Sequence, residues 1–250
     1  MSRTGIIGDV HANLPALKAV LAHAPECDSW LCIGDTVGYG PYPNECIALV
    51  RELGAHAVAG NHDLGSLGKI DLSSFNADAR AACRWTGSVL EDTARTYLDS
   101  LGSRLSGEGW MIVHASPRDP VWEYVLSKEQ AYHNFTEFDE RVCFHGHSHA
   151  PVVFRWSVEA QKADDFTAVE LAIPGDGDEI ELDEDHRFLV NVGSVGQPRD
   201  GERRSCYVTY DQGKQVLEYH RVSYQIDEIQ KRMAEVGLPA FLIDRLAYGY

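Results

Sequence analysis

Five short apolar runs of this sequence each end in aspartate, asparagine or histidine, side chains that can bind a metal ion. The residues around these ends read GDVH (8–11), GDTV (34–37), GNHD (60–63), VHAS (113–116) and GHSH (146–149). They contain seven candidate metal ligands: Asp9, His11, Asp35, Asn61, His114, His147 and His149. Carboxylate, imidazole and amide ligands without thiolate favour manganese, iron, zinc, nickel or magnesium. One such motif arises easily by chance, whereas five in order predict a shared site.

The elements that must position these residues follow from the hydrophobic pattern. The apolar runs predict buried strands, at 4–8, 30–34, 56–60, 110–114 and 142–145. Helical patterns lie between them at 14–24 and 43–53. Strands that alternate with helices predict a largely parallel sheet, in which ligands bind at the carboxyl ends of the strands. We therefore expect the seven polar side chains to meet at one edge of such a sheet.

The remaining sequence predicts more helices and then a β-rich half. Residues 76–101 are typical of two helices broken near Gly87, and 127–135 of a short one. After Pro151 the pattern favours antiparallel strands, at 152–156, 166–172, 187–192, 206–211 and 216–222. Helices are predicted at 226–236 and 240–247. Because neither a repeat nor a linker interrupts the sequence, one domain with two packed sheets is expected.

Composition limits the possible partners. The formal net charge of the 250 residues is −16, which argues against binding of nucleic acid independent of sequence. Neither an apolar stretch long enough to span a bilayer nor a leader pattern is present, so we expect a cytoplasmic protein that does not enter membranes. The six cysteines form no C-x-x-C pair, which disfavours a zinc knuckle. Eleven acidic residues between Glu159 and Asp185 predict a solvated acidic hairpin or loop region.

As a set, the five motifs resemble those of the calcineurin-like metallophosphoesterase superfamily, in which D-x-H, G-D-x-x, G-N-H-[DE], H and G-H-x-H follow one another in this order. The segment NVGSVGQPRDG (191–201) is similar to a loop of small bacterial and archaeal members. The resemblance implies an α/β fold, a four-layer α/β/β/α sandwich of two mixed sheets. It implies a dinuclear metal site at the carboxyl ends of the strands. Within a single domain of residues 1–250, we expect a helical cap at about 64–108 and an acidic β insertion at about 157–186.

The resemblance also implies how the ligands divide between two ions. Asp9, His11 and His149 would hold one ion, and Asn61, His114 and His147 the other. Asp35 would bridge them, and a hydroxide between the ions would attack the phosphorus atom. Manganese is the ion we favour, with iron, zinc, nickel or magnesium as alternatives. Seven polar groups in one pocket would be costly to desolvate without cations, which supports a metal site independently.

Other residues gain roles through the same resemblance. His62 is in the position of a histidine that protonates the leaving oxygen or clamps the phosphoryl group, with Asp63 orienting it. Arg199 is a candidate fork donor to substrate phosphate. Tyr39 and Tyr42 are candidate walls for a base or ring, although packing under a loop is the commoner role of such residues.

The predicted function is a dinuclear metal-dependent phosphoesterase that hydrolyses small or nucleotide-like phosphate monoesters or diesters. Three alternatives stay open: an inactive scaffold with this fold, a protein phosphatase and a mononuclear metal-binding regulator. In the stretch GDTVGYG, Tyr39 stands where the protein phosphatases of the superfamily carry arginine. This difference weakens the protein phosphatase hypothesis and that of a symmetrical diadenosine tetraphosphate hydrolase. The sequence leaves the oligomeric state open.

Overall fold

The computed structural model describes residues 2–250 as an alternation of short strands and helices. The strands are β1 (Arg3–Ile7), β2 (Ser29–Cys32), β3 (His56–Ala57), β4 (Arg104–Ser106), β5 (Trp110–Val113), β6 (Val142–His145), β7 (Val152–Ser157), β8 (Glu170–Ala172), β9 (Glu179–Glu181), β10 (His186–Asn191), β11 (Ser205–Asp211) and β12 (Val216–Val222). The helices are α1 (Leu14–His23), α2 (Pro43–Glu52), α3 (Asn61–Ser66), α4 (Ala77–Val89), α5 (Asp92–Ser100), α6 (Lys128–Phe135), α7 (Val158–Lys162), α8 (Ile226–Glu235) and α9 (Ala240–Asp244).

The strands form two six-stranded mixed sheets. The first sheet has the order β3-β2-β1-β11-β12-β9, and its strands β1, β2 and β3 are parallel. The second has the order β4-β5-β6-β10-β7-β8, with β5, β6 and β10 parallel. The other pairings in both sheets are antiparallel. Five of these parallel strands, β1, β2, β3, β5 and β6, precede the five motifs, so their carboxyl ends lead to the candidate ligands.

Apolar side chains fill three layers of contact around these sheets. Ile6, Phe144 and Val208 belong to the buried core between the two sheets. Leu17 of α1 packs in the cluster outside the first sheet, and Phe135 of α6 in the cluster outside the second. The order is therefore helix, sheet, sheet, helix, which confirms the predicted four-layer sandwich of two mixed sheets.

The predicted strand at 56–60 is shorter than expected. Only His56 and Ala57 pair with β2 as a strand. Beyond them the Val58 N–H still donates to the Cys32 carbonyl (3.1 Å), but the Ala59 N–H donates to the Gly102 carbonyl (2.9 Å). The chain leaves the sheet there and enters the loop that carries Asn61.

The break between the two helices of 76–101 lies after Val89 and not near Gly87. Leu90 ends α4 in extended backbone, and α5 begins at Asp92. Gly87 lies inside α4, where an added Cβ would come within 2.6 Å of the Ser66 carbonyl oxygen. This glycine therefore permits close packing of α4 on α3 and does not break a helix.

The segment expected to be a helical cap at 64–108 consists of helices that pack on other helices and a final strand that belongs to the second sheet. Its helices α4 and α5 pack partly against α2, through Leu90 and Leu98 around Ile47. Cys83 of α4 also packs in a cluster with Leu242 of the C-terminal helix α9. The end of the segment is strand β4, which pairs with β5 at the edge of the second sheet. Only the helical part of this range can therefore act as a cap.

The acidic segment expected as a β insertion at 157–186 is only partly β structure. It starts with helix α7, and the predicted strand at 166–172 begins with a 3₁₀ turn at Phe166–Ala168. Its two short strands, β8 and β9, form one edge of each sheet. Within residues 2–250, no helix is long and apolar enough to cross a membrane.

Candidate metal centre

The candidate ligands lie on sharp turns at the carboxyl ends of the strands. Five of them have left-handed backbone, with φ of 49° to 66°: Asp9, His11, Asp35, His147 and His149. Aspartate and histidine adopt this conformation more readily than most residues, although it costs energy relative to ordinary backbone. Backbone hydrogen bonds hold two of the turns together, since the Asp9 N–H donates to the Gly34 carbonyl (3.1 Å) and the His11 N–H to the Asp35 carbonyl (2.9 Å).

Two glycines allow these turns to approach one another closely. An added Cβ at Gly60 would overlap the Asp35 carboxylate, and one at Gly146 would overlap Oδ2 of Asp9. Glycine is therefore required at both positions by the lack of space around the carboxylates.

The first group of ligands consists of Asp9, His11 and His149. The Nε2 atoms of His11 and His149 are 3.0 Å apart. Oδ1 of Asp9 lies 3.3 Å from Nε2 of His149 and 3.8 Å from Nε2 of His11. The other oxygen of Asp9 accepts a hydrogen bond from the His147 N–H at 3.0 Å, which fixes the carboxylate.

The second group consists of Asn61, His114 and His147. Nε2 of His114 lies 3.1 Å from Oδ1 of Asn61 and 3.1 Å from Nδ1 of His147. Asn61 is the first residue of α3, and His114 follows β5. The structure thus brings together three ligands that are far apart in the sequence.

Asp35 lies between the two groups. Its Oδ2 atom is 3.6 Å from Nε2 of His11 and 3.4 Å from Nε2 of His114. Its Oδ1 atom accepts a hydrogen bond of 2.8 Å from the His62 N–H. One oxygen of this carboxylate therefore faces both groups while the other is held by the backbone.

Hydrogen bonds to the far nitrogen of each ring set the direction of three histidines. The Nδ1–H groups of His11, His114 and His149 face the carbonyl oxygens of Val37 (3.2 Å), Ile33 (3.1 Å) and Gln197 (2.6 Å). A neutral ring that donates through Nδ1 has a lone pair on Nε2. All three lone pairs therefore point to the centre of the site, as in many metal-binding histidines.

Burial determines the charge of this site. Burial raises the pKa of Asp9 to about 6, and burial followed by the neighbouring Asp63 and Asp9 carboxylates raises that of Asp35 well above its usual value. Burial also lowers the pKa values of His11 and His149 well below the usual range, and that of His114 less strongly. The three histidines are therefore neutral, and their Nε2 atoms lie among the carboxyl oxygens of Asp9 and Asp35.

These residues fit metal ions. In the described part of the chain, the buried atoms Oδ1 of Asp9 and Oδ2 of Asp35 have no hydrogen-bond partner. Two ligand atoms that are each about 2.1 Å from one ion and at right angles are about 3.0 Å apart, which matches the His11–His149 separation. Lone pairs that face each other at this distance repel unless a cation lies beside them. The oxygen and nitrogen donors suit manganese, iron or zinc.

His62 and Asp63 are next to this site but are held by different partners. Nδ1 of His62 lies 3.3 Å from Sγ of Cys83, a residue of α4. The two oxygens of Asp63 accept hydrogen bonds from the N–H groups of Val37 and Gly60, each at 3.0 Å. The structure therefore places Cys83, and not Asp63, at the ring of His62, and Asp63 shapes the ligand loops. This contact differs from the expectation that Asp63 orients His62.

Arg199 reaches the same site from the loop that follows β10. Its guanidinium donates to Oε1 of Gln197 at 2.9 Å and to the Tyr39 hydroxyl at 3.3 Å. Among residues 2–250, no carboxylate forms an ion pair with Arg199. Its direct side-chain hydrogen-bond partners, Gln197 and Tyr39, are therefore neutral.

Tyr39 is packed more tightly than a free wall for a substrate ring would be. It is 7% exposed, and its ring lies 4.2 Å from that of His62 and 4.5 Å from that of His11. Tyr39 therefore supports the histidines, whereas Tyr42 precedes α2 and packs in the cluster outside the first sheet.

A cavity of about 150 Å³ opens onto the ligands. Its wall includes three aromatic residues that the sequence analysis did not single out: Phe75, Trp122 and Tyr124. Phe75 precedes α4, and the other two lie in the stretch VWEYV between the fourth and fifth motifs. Two aromatic residues so close together were the only signal in the sequence, and such a signal does not indicate which surface they face.

Comparisons with known proteins agree with this geometry. A family model described as the calcineurin-like phosphoesterase superfamily domain matches residues 3–214. An uncharacterised protein from Methanocaldococcus jannaschii is 36% identical over 99% of this chain and 98% of its own length. The crystal structure of a metallophosphoesterase from Sphaerobacter thermophilus matches with a TM-score of 0.89 and 42% identity, over 100% of this chain and 99% of that chain. A symmetrical bis(5′-nucleosyl)-tetraphosphatase from Chromohalobacter salexigens is 29% identical over 69% of this chain and 53% of its own length.

Proposed function

The chain belongs to the calcineurin-like phosphoesterase superfamily and is a hydrolase of phosphate esters, and we propose that it uses two metal ions to hydrolyse small or nucleotide-like monoesters or diesters. The resemblance found in the sequence is thereby confirmed. Asp9, His11 and His149 would hold one ion, Asn61, His114 and His147 the other. When bound, such ions activate water and neutralise charge that develops on the phosphoryl group.

The observation that supports two ions is the position of Asp35. Its unpaired, buried Oδ2 atom faces one histidine of each ligand group, His11 and His114, at 3.6 and 3.4 Å. A mononuclear site needs no carboxylate between two groups of ligands. Manganese is the ion we favour, because the donors are oxygen and nitrogen alone.

The protein's own residues would bind and orient the phosphate. Arg199 lines the cavity with a guanidinium that has only neutral side-chain partners, and its fork suits two phosphoryl oxygens. His62 lines the same cavity and would donate a proton or a hydrogen bond to the leaving oxygen. Asp63 would act indirectly, through the backbone of the loops at Val37 and Gly60.

We propose that the helical part of 64–108 limits access to the site. Ser74, Phe75, Asn76 and Ala79 border the cavity on that side. The cavity has a volume of about 150 Å³ and the candidate ligands beneath it are at most 5% exposed, which disfavours a folded phosphoprotein as substrate. The protein phosphatase alternative is therefore less well supported than hydrolysis of a small ester. Location in the cytoplasm stays a prediction from the sequence.

The test is hydrolysis of p-nitrophenyl phosphate and bis(p-nitrophenyl) phosphate by protein stripped of metal and refilled with Mn²⁺. We expect turnover of at least one ester and none in Asp35→Asn, which lacks the bridging carboxylate. The ratio of the two rates distinguishes a monoesterase from a diesterase. Two bound ions without turnover of any ester would instead support the inactive scaffold, and one ion per chain would support the mononuclear regulator.

A further inference from the structure

Tyr124 stands at the mouth of the cavity with part of its ring exposed. Its ring stacks on that of the candidate ligand His147, with centroids 4.1 Å apart and planes inclined by 28°. The residue is nevertheless 43% exposed, whereas His147 beneath it is 5% exposed. One face of the tyrosine is therefore covered by a candidate ligand, and no other ring among residues 2–250 stacks on this exposed residue.

Of the other aromatic residues around the cavity, Tyr39 and Phe75 have no comparable free face, and Trp122 is less exposed than Tyr124. The Tyr39 ring packs against both His11 and His62. Face-to-face stacking is also prevented at Phe75, which is 6% exposed. Its ring contacts the rings of His62 and Trp122 edge to face, with centroids 5.0 and 5.1 Å apart. Tyr124 is thus the lining residue best placed to receive a flat ring from solvent.

The position of Tyr124 sets how far such a ring would lie from the reacting phosphate. A ring stacked on its open face would be roughly 8 Å from the His147 ring, two stacking intervals of about 4 Å each. The cavity is large enough for the phosphoryl group and part of a sugar, but a base would extend to the rim. A pentose with its 5′ carbon spans about this separation between a phosphate and a base.

On the basis of the proposed phosphoesterase function, we propose that Tyr124 is a stacking platform for the base of a nucleotide whose 5′ phosphate is hydrolysed at the metal centre. Stacking needs only the flat face of a base, so the platform would favour nucleotides over sugar phosphates without strong preference among bases. Arg199 and the metal ions held by the candidate ligands would contact the phosphate of both kinds of substrate. The platform therefore determines specificity and leaves the chemistry to the metal centre.

The test compares adenosine 5′-monophosphate with ribose 5-phosphate, because both release the phosphate from a primary alcohol and only one carries a base. We expect kcat/KM to be about tenfold higher for the nucleotide in the wild-type protein loaded with Mn²⁺. In Tyr124→Ala this ratio should fall toward one, and in Tyr124→Phe it should persist. A ratio within one variant is insensitive to a change in its metal occupancy. Leu126→Ala is the matched control, since Leu126 is 62% exposed and lies two positions away without lining the cavity.

A ratio near one in the wild-type protein, or an unchanged ratio in Tyr124→Ala, would overturn the platform. Failure of the proposed function would look different, because then none of the four esters would be hydrolysed. These are p-nitrophenyl phosphate, bis(p-nitrophenyl) phosphate, adenosine 5′-monophosphate and ribose 5-phosphate. In that case the dissociation constants of the same two compounds can be measured at equilibrium by calorimetry. Tighter binding of the nucleotide that is lost in Tyr124→Ala would support the platform, and equal constants would overturn it.

Discussion

Two groups of histidines, one at the carboxyl ends of the strands and one outside the first sheet, differ in what their nitrogen atoms face. In the second group His220 is buried and His23 is exposed. In the strand-end cluster, defined by the seven candidate ligands, Nε2 of His11 faces Nε2 of His149 at 3.0 Å. In the outer pair, His23 and His220, Nδ1 of His23 contacts the Tyr207 hydroxyl and Nε2 of His220 contacts the Thr209 hydroxyl, each at 2.9 Å. A hydroxyl can donate or accept, so it can complement whichever tautomer the ring adopts.

This difference distinguishes histidines that face other acceptor atoms, as metal ligands do, from histidines that are paired with protein groups. In the outer pair one nitrogen of each ring has a hydroxyl partner, Nδ1 of His220 also lies 3.8 Å from the Glu218 carboxylate, and the His220 ring stacks on Tyr207 at 4.6 Å. The strand-end cluster instead contains unpartnered carboxylate oxygens among the described residues, on Asp9 and Asp35. Burial alone therefore does not identify a ligand, whereas acceptor atoms that converge without donors do.

The largest effect that would test this comparison is the stabilisation of the protein by metal. At a Mn²⁺ concentration about 1,000 times the dissociation constant, binding should raise the free energy of unfolding of the wild-type protein by about 4 kcal/mol. Asp35→Asn should lose most of this gain, because Asp35 faces both ligand groups. Urea unfolding with and without Mn²⁺ measures the gain. His220→Gln is the control from the outer pair and should keep it; loss of the gain there would break the distinction.

A smaller effect is expected for His62, which lies beside the strand-end cluster without belonging to it. His62→Ala should retain two metal ions and lose about 100-fold in kcat on alkyl phosphates, since these need a proton donor for the leaving oxygen. The loss should be much smaller on p-nitrophenyl phosphate, whose leaving group needs little protonation. Rates over a series of leaving groups, with metal content measured in parallel, test this. An equal loss on good and poor leaving groups would contradict the acid role.

The sequence predicted that the seven candidate ligands meet at one edge, because their position depends on a local pattern. Asp9, Asp35 and His114 each follow an apolar run, and parallel strands bring such ends to one edge. The contact between Cys83 and His62 had no such signal. It depends on how α4 packs over α3, which a periodic pattern of apolar residues does not specify.

The same limit explains the errors in element boundaries. Gly87 has the residue type of a helix break, yet it lies within α4 because Ser66 packs against it. Likewise β3 ends early because Ala59 bonds to Gly102, a residue distant in the sequence. Tertiary contacts decided these cases, and the local sequence could not indicate them.

The smallest expected effect is the change in the free energy of unfolding at acidic pH. Seven histidines have pKa values lowered mainly by burial: His11, His62, His114, His145, His147, His149 and His220. Their contribution to stability is present above pH 6.5 and is lost as the pH falls, because the unfolded chain then binds protons that the native histidines do not. Three carboxyl groups have raised pKa values and act in the opposite direction: Asp9, Asp35 and Asp63.

Since the histidines outnumber these carboxyl groups, the free energy of unfolding of the metal-free protein should fall as the pH is lowered from 6.5 to 5. Urea unfolding at a series of pH values measures the slope. His220→Gln should reduce the slope only slightly, because six of the seven histidines are in or next to the strand-end cluster. A slope that disappears in His220→Gln would assign the acid sensitivity to the outer pair instead.

The place of β1 between β2 and β11 has a consequence for biosynthesis. On the ribosome, 140 positions separate the translation of Asp9 from that of His149, which takes roughly 7–28 s at about 5–20 residues per second. β11, the second neighbour of β1, is translated later still. The proposed metal site is therefore complete only when most of the chain has been synthesised, which would make metal loading a late step in the maturation of the protein.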